Sequence, residues 1–145
     1  MNEYRFTISL RIFTKMIDPK VICEEIGYQP EILNKMGEVR TTPTGMPLTG
    51  TYSETYISFP QDRLNDETLP EMIERICNSL YPKREIFRRI HDTKGSSELF
   101  IGWFLSGNAG EVFSSDLLRK LGETYIALSF DVYPPRTILD THEIQ

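Results

Sequence analysis

The sequence lacks any apolar run of about 18 residues, the length that a membrane-spanning helix requires. The N-terminal residues 1–5 also lack the apolar core and the small-residue cleavage site of a secretory signal. We therefore predict no membrane partner and expect the protein to be cytoplasmic.

Cysteine and histidine are scarce, with two residues of each. Cys23 and Cys77 stand among apolar residues of predicted helices, without the close spacing of a zinc-binding pair. Neither His91 nor His142 has a second ligand at metal-binding spacing. We expect two unpaired structural thiols, no metal and no cofactor.

Motifs for nucleophilic catalysis and for phosphate binding are absent as well. The chain contains no Gly-x-Ser-x-Gly elbow. The loop 106–110 joins a predicted strand to a predicted helix, but its glycine spacing matches neither a P-loop nor a dinucleotide fingerprint. The sequence therefore assigns no catalytic residue.

Positive charge is in the minority, with 16 basic against 21 acidic residues and a net charge of -5. A general nucleic-acid binder needs a basic surface to neutralise phosphates, so we predict no nucleic-acid partner. The one concentrated basic cluster, in residues 83–94, is interleaved with acidic residues. That mixture is typical of a solvated helix face.

The remaining composition is that of an ordinary globular domain. The chain has 145 residues, of which 39% are hydrophobic, enough for one hydrophobic core without disulfide or metal staples. We predict a single domain over residues 4–133 and a frayed C-terminal tail over residues 134–145.

The first part of the chain predicts a strand, a short helix and a second strand. Apolar and polar residues alternate over 6–13, which indicates a strand with one buried face. Asp18-Pro19 predicts a helix start and Gly27 its end. Residues 42–50 are expected to form an exposed loop, and residues 51–59 a strand.

The middle of the chain predicts helix. Thr68 and Glu71 fit a capping box, in which each residue's side chain accepts from the other's amide. An apolar stripe follows at helical spacing and is interrupted by Pro82. Two helices or one kinked helix are consistent with this pattern, and Gly95 closes it.

The last part predicts a second strand–helix–strand unit. Residues 99–105 form an apolar run typical of a central strand with two buried faces. Ser114 or Ser115 caps a helix that ends at Gly122, and residues 126–133 alternate as a strand. We predict an α+β fold, with a mostly antiparallel sheet, helices packed on one face, and two strand–helix–strand units joined by a helical segment.

Polar residues on the non-core side of two strands define a candidate binding surface. Arg11 and Asp131 both have this parity, together with Ser129. If their strands are neighbours, these residues line one sheet face, and Arg11 and Asp131 can pair. The same pattern is typical of any solvated antiparallel sheet, so both interpretations stay open.

Aromatic residues offer a second set of candidates. Trp103 is the single tryptophan, and Tyr52, Tyr56 and Tyr133 join it if their strands align. Surface aromatics often anchor partners, whereas a tryptophan in so apolar a strand is typical of a core. The candidate binding residues are therefore Arg11, Trp103, Ser129, Asp131 and Tyr133.

Several short segments follow one another along the chain in a distinctive order. They are 9–13, Asp18-Pro19, Ile22, Gly27, Leu117-Leu118 and 126–133. Together they resemble a bacterial family named domain-of-unknown-function 4279. The resemblance covers residues 4–133 and implies a bacterial cytoplasmic origin and a compact α+β domain. It carries no activity and no catalytic residues.

Three functions remain open. The first is a non-enzymatic interaction domain, for example an immunity-type protein whose acidic surface is steered onto a basic partner. The second is a small-molecule binding or sensor domain, with residues 42–50 and 105–115 framing a pocket. The third is an enzyme whose unrecognised site is built on Arg11 and Asp131. An exposed edge strand also makes a homodimer one of the partner arrangements to test.

Overall fold

A five-stranded sheet forms the centre of the fold in the computed structural model, which describes residues 4–135. Two further strands form a separate hairpin, and all strand pairs are antiparallel except that of the last two strands. The order in the main sheet is β2-β5-β1-β6-β7. The strands are β1 (Tyr4–Thr14), β2 (Ile32–Asn34), β3 (Val39–Thr41), β4 (Pro47–Thr51), β5 (Thr55–Gln61), β6 (Ser96–Leu105) and β7 (Ala127–Tyr133).

Helices cover one face of this sheet, as the sequence predicts. They are α1 (Pro19–Ile26), α2 (Leu69–Leu80), α3 (Arg84–Asp92) and α4 (Ser115–Glu123), with one 3-10 turn at Tyr81–Lys83. Alternate residues of β1 enter one core with the apolar stripes of the helices. Leu10, for example, is fully buried together with Ile73 and Phe87. The predicted α+β fold is confirmed.

Local signals set both ends of α1 and the start of α2 where the sequence places them, whereas α4 continues past its predicted end at Gly122 to Glu123. The carboxylate of Asp18 accepts from the Lys20 amide at 2.9 Å, and Gly27 ends α1 with a left-handed φ of 79°. Thr68 and Glu71 form the reciprocal capping box of α2. Pro82 lies in the 3-10 turn that separates α2 from α3, so the segment contains two helices.

The predicted loop over residues 42–50 is wrong, because β4 occupies its second half. The hairpin closes through the Thr42 amide, which donates to the Met46 carbonyl at 2.8 Å, with Gly45 at a φ of 89°. A short strand around residues 38–41 agrees with the sequence, and β3 confirms it. Every residue of β4 is exposed, so no burial pattern marks this strand in the sequence.

The pair β6 and β7 is parallel, because α4 crosses over between these strands. The strand–helix–strand order that the sequence predicts is thus a parallel unit at the sheet edge. Of the expected tail, residues 136–145 lie outside the described residues.

Candidate functional site

The sheet face that points away from the helices has no helix packed against it within residues 4–135, and we call it the open face. Its side chains have the parity opposite to the core, and the register of β1, β6 and β7 brings them into cross-strand rows. The open face includes Arg5, Thr7, Ser9, Arg11, Phe13, Tyr56, Glu98, Phe100, Gly102, Phe104, Ser129, Asp131 and Tyr133.

Arg11 organises one half of the open face. Its Nε and Nη2 donate to Oε1 of Glu98 at 2.9 and 2.5 Å, and its guanidinium lies 3.9 Å from the centre of the Phe100 ring. The Arg11 and Glu98 side chains are only 27% and 20% exposed. The Arg11 cation is thereby held over an aromatic ring, with its charge balanced by a carboxylate.

Tyr133 organises the other half. Its ring stacks on that of Phe104, with centroids 4.7 Å apart and planes 7° apart, and the Arg5 guanidinium lies 5.4 Å from the Phe104 ring centre. The Tyr133 hydroxyl donates to Oδ2 of Asp131 at 2.5 Å. This hydrogen bond raises the pKa of Tyr133. The stack presents a flat aromatic surface beside a fixed carboxylate.

Four of the five predicted binding residues share the open face, but the predicted pairing of Arg11 with Asp131 is wrong. Strand β6 lies between β1 and β7, so the two backbones are about 10 Å apart. Arg11 is opposite Glu98, whereas Asp131 is opposite Gly102, four residues further along β6. An enzyme site that joins these two side chains loses its geometric basis.

Trp103 lies on the helix side of the sheet, opposite Phe6 of β1. Its ring packs edge-on against Tyr4 at 5.3 Å and lies 5.9 Å from Phe130. The predicted alignment of Trp103 with Tyr133 is therefore wrong, because Tyr133 pairs with its neighbour Phe104 and faces the other way. Among the described residues the buried indole N–H has no hydrogen-bond partner.

Tyr4 links the start of β1 by a side-chain hydrogen bond to the segment that precedes α4. Its hydroxyl donates to the carboxylate of Glu111. Burial and this hydrogen bond raise the pKa of Tyr4 to about 12. A cavity of about 320 Å³ opens beside it, lined by Arg5, Phe104, Leu105 and Ser106.

A larger cavity of about 390 Å³ lies between the hairpin and β2. Tyr56 of the open face lines it together with Tyr52, Leu48 and Arg40, and the ring centres of Tyr56 and Phe13 are 5.0 Å apart. Exposed apolar side chains are concentrated in this region. They are Ile32, Leu33, Met36, Val39, Met46 and Leu48.

The segments 42–50 and 105–115 were expected to frame one pocket, but they line separate cavities. The hairpin adjoins β2 at one edge of the sheet, whereas residues 105–115 follow β6 near the opposite edge. Any small-molecule site that uses residues 42–50 therefore belongs to the hairpin cavity alone.

Sequence reasoning missed Glu98, Phe100 and Phe104. Phe100 and Phe104 belong to the apolar run 99–105, which predicts a strand buried on both faces, and Glu98 directly precedes this run. The central position of β6 is confirmed, but one of its faces is open and Phe100 and Phe104 are half-buried. Glu98, Phe100 and Phe104 share one parity in β6, so their side chains point to the same face of the strand. This shared parity was the signal in the sequence that could have identified them.

Cys23 is half-buried and Cys77 buried, and both thiols are free. Burial raises the pKa of each thiol, which lowers its reactivity. Within residues 4–135, no group of three or more His, Cys, Asp or Glu side chains is arranged to hold a metal ion. None of the helices in this described part of the chain has the length and apolarity needed to cross a membrane.

Comparison with known proteins identifies the family and nothing finer. Neither the curated proteins nor the solved structures contain a match to this chain. The model of the family described as Domain of unknown function (DUF4279) matches residues 2–135, which covers every element of the fold and the whole open face. The chain belongs to the DUF4279 family.

Proposed function

We propose that this protein is a non-enzymatic interaction domain that binds a protein partner through the open face. The observation that supports it is the uncovered sheet face on which Arg11, Phe104 and Tyr133 are held in place by a cation–π contact, ring stacking and hydrogen bonds. Arginine and tyrosine are enriched among the residues that dominate binding energy at protein interfaces. Side chains already held in place lose less entropy on binding, which favours affinity.

Acidic charge outside the open face supports the steering of a basic partner. The open face carries two arginines and two carboxylates, Glu98 and Asp131, and is therefore balanced. The segment 62–74 contains five acidic residues and one basic residue, Arg63. A cluster of negative charge attracts a positively charged partner and speeds its approach. This segment therefore favours an immunity-type role against a basic partner in the cytoplasm of a bacterial host.

The test compares two double variants with matched chemistry. Arg5→Ala/Tyr133→Ala removes one exposed arginine and one exposed tyrosine from the open face. Arg119→Ala/Tyr125→Ala removes the same residue types from α4 and the turn that follows it. Tagged wild-type protein and both variants are used for affinity capture from host lysate at low and at moderate salt, with the bound material identified by mass spectrometry.

We expect one stoichiometric protein to be captured by the wild type and by the α4 variant, and to be lost from the open-face variant. Its retention should fall as salt rises if steering by residues 62–74 contributes. Equal capture by both variants contradicts the open face as the binding site. Absence of any partner at either salt, or capture of nucleic acid alone, contradicts the proposed function.

A second candidate function is small-molecule binding in the hairpin cavity. Its volume of about 390 Å³ lies at the small end of the range of ligand sites, and Tyr52, Leu48 and Arg40 supply apolar and polar groups. A ligand should raise the melting temperature of the wild type in proportion to occupancy. Leu48→Arg, which alters the lining, should abolish that shift, and Met46→Arg on the same hairpin should retain it. No shift across a broad metabolite panel contradicts this candidate.

A further inference from the structure

The two edges of the main sheet differ in how well they are protected. The β2 edge has three residues and is followed by Lys35 and the hairpin. The β7 edge has seven residues in continuous register with β6. Its sequence ALSFDVY contains one charged residue, Asp131 on the open face, and its prolines, Pro134 and Pro135, come only after the strand. Soluble proteins usually block such an edge with charge, proline or a bulge, because its free backbone groups attract another strand.

The β7 edge also exposes apolar side chains. Phe130 and Val132 lie on the helix side of the sheet and are 39% and 48% exposed. Tyr133, on the open face, is 46% exposed. Among residues 4–135 no strand pairs with the outer side of β7. A long, regular and apolar edge is a surface for strand addition.

We propose that β7 pairs in antiparallel orientation with β7 of a second copy of this chain, about a two-fold axis that passes beside Phe130. An axis perpendicular to the sheet leaves the helices of both copies on the same side, so the two five-stranded sheets join into one continuous sheet. Phe130 is the midpoint of Ala127–Tyr133, so this register pairs all seven residues. Leu128 then lies opposite Val132 of the second copy on the helix side.

The open-face side of the same register is complementary in polarity. Ser129 lies opposite Asp131 of the second copy, where its hydroxyl can donate to the carboxylate, and Ala127 lies opposite Tyr133. Moving the axis to residue 131 places the two Asp131 carboxylates opposite each other, which is destabilising. Moving it to residue 129 pairs only residues 127–131. The sequence of β7 therefore selects the axis at Phe130.

The first test measures the oligomeric state. Sedimentation and light scattering over a wide concentration range should show a monomer–dimer equilibrium for the wild-type protein. Val132→Lys should raise the dimer dissociation constant about tenfold or more, because two valines leave the interface and two ammonium groups replace them. Leu118→Lys, on α4 and likewise 48% exposed, should leave the constant unchanged. A wild-type protein that stays monomeric at all concentrations overturns the proposal.

The second test measures the register by disulfide formation in a Cys23→Ser background, in which the remaining Cys77 is buried. In Phe130→Cys the two introduced thiols lie opposite each other, with Cα atoms about 4.5–5.5 Å apart, within the span of a disulfide. In Val132→Cys they are about 13 Å apart. Mild oxidation should crosslink the first variant and not the second. Equal crosslinking, or crosslinking of Val132→Cys alone, overturns the proposed register.

Discussion

Gly102 of β6 lies so close to Thr7 of β1 that a Cβ atom on Gly102 would stand 2.8 Å from Oγ1 of Thr7. The position is on the open face, next to Asp131 of β7 in register. A side chain at residue 102 is therefore excluded by the cross-strand threonine, whose branched side chain has few rotamers to adopt instead.

We expect Gly102→Ala to lower the free energy of unfolding by about 1–3 kcal/mol through overpacking. Thr7→Ala/Gly102→Ala should recover most of this loss, because the clashing oxygen is gone. Urea denaturation measures both values. Gly122→Ala serves as the control, since a Cβ there meets nothing within 4 Å. A double variant as unstable as Gly102→Ala shows that Thr7 is not the obstacle.

The Arg11–Glu98 pair supports a prediction about coupling. Both side chains are partly buried, and Arg11 also lies over Phe100. A double-mutant cycle with Arg11→Gln and Glu98→Gln should give a coupling energy of about 0.5–1 kcal/mol. Arg11→Gln alone should cost about 1–2 kcal/mol, because the cation–π contact is lost as well. Additive losses in a denaturant series argue that the two side chains do not interact.

The capping box of α2 predicts a loss of stability on Thr68→Ala. Removing the hydroxyl leaves the Glu71 amide without its acceptor and should cost about 1 kcal/mol. Thr68→Ser should retain nearly full stability, because serine caps equally well. Chemical denaturation at neutral pH distinguishes the two variants, and an equal loss in both argues against capping as the cause.

Acid should destabilise the protein through Glu67 and Glu71. A hydrogen bond from Arg75 lowers the pKa of Glu67, and the Thr68 amide lowers the pKa of Glu71. Because each pKa is lower in the folded state, the stabilisation is present above the unfolded value of about 4.3 and is lost as pH falls through the folded value. Glu67→Gln/Glu71→Gln should flatten the fall of the urea midpoint below about pH 4.3. An unchanged acid limb contradicts this assignment.

Ionisation of Tyr4 should destabilise the folded protein at alkaline pH. Its pKa in the folded state is about 12, above the unfolded value of about 10. The stabilisation is therefore fully present below pH of about 10 and is lost as pH rises toward 12. The difference in denaturation midpoint between wild type and Tyr4→Phe should shrink over that interval. A constant difference argues that Tyr4 titrates alike in both states.

Signals that act within a few residues predict their elements correctly. Asp18 and Thr68 cap helices because a side-chain oxygen and a nearby amide suffice for the interaction. Alternation along β1 predicts which residues face the core, since side chains of a strand point to opposite sides in turn. The open-face position of Arg11, Ser129, Asp131 and Tyr133 follows from the same rule.

The hairpin and the open face of β6 could not be predicted in the same way. Residues 47–51 are exposed throughout, so no periodic pattern separates this strand from a loop. Phe100 and Phe104 are apolar on an uncovered face, where Arg11 and Tyr133 pack on them. An apolar run alone does not reveal whether a helix or a cross-strand neighbour covers it.

By itself the sequence determined both ends of α1, the start of α2, the buried parity of β1 and the family to which the chain belongs. Only the tertiary structure decided that β6 separates Arg11 from Asp131, that Trp103 faces the helices, and that β7 forms an edge of the main sheet. The physical reason is the separation along the chain over which each interaction acts. Caps and alternation depend on neighbours in the chain, whereas strand order depends on which distant segments bury the most apolar surface together.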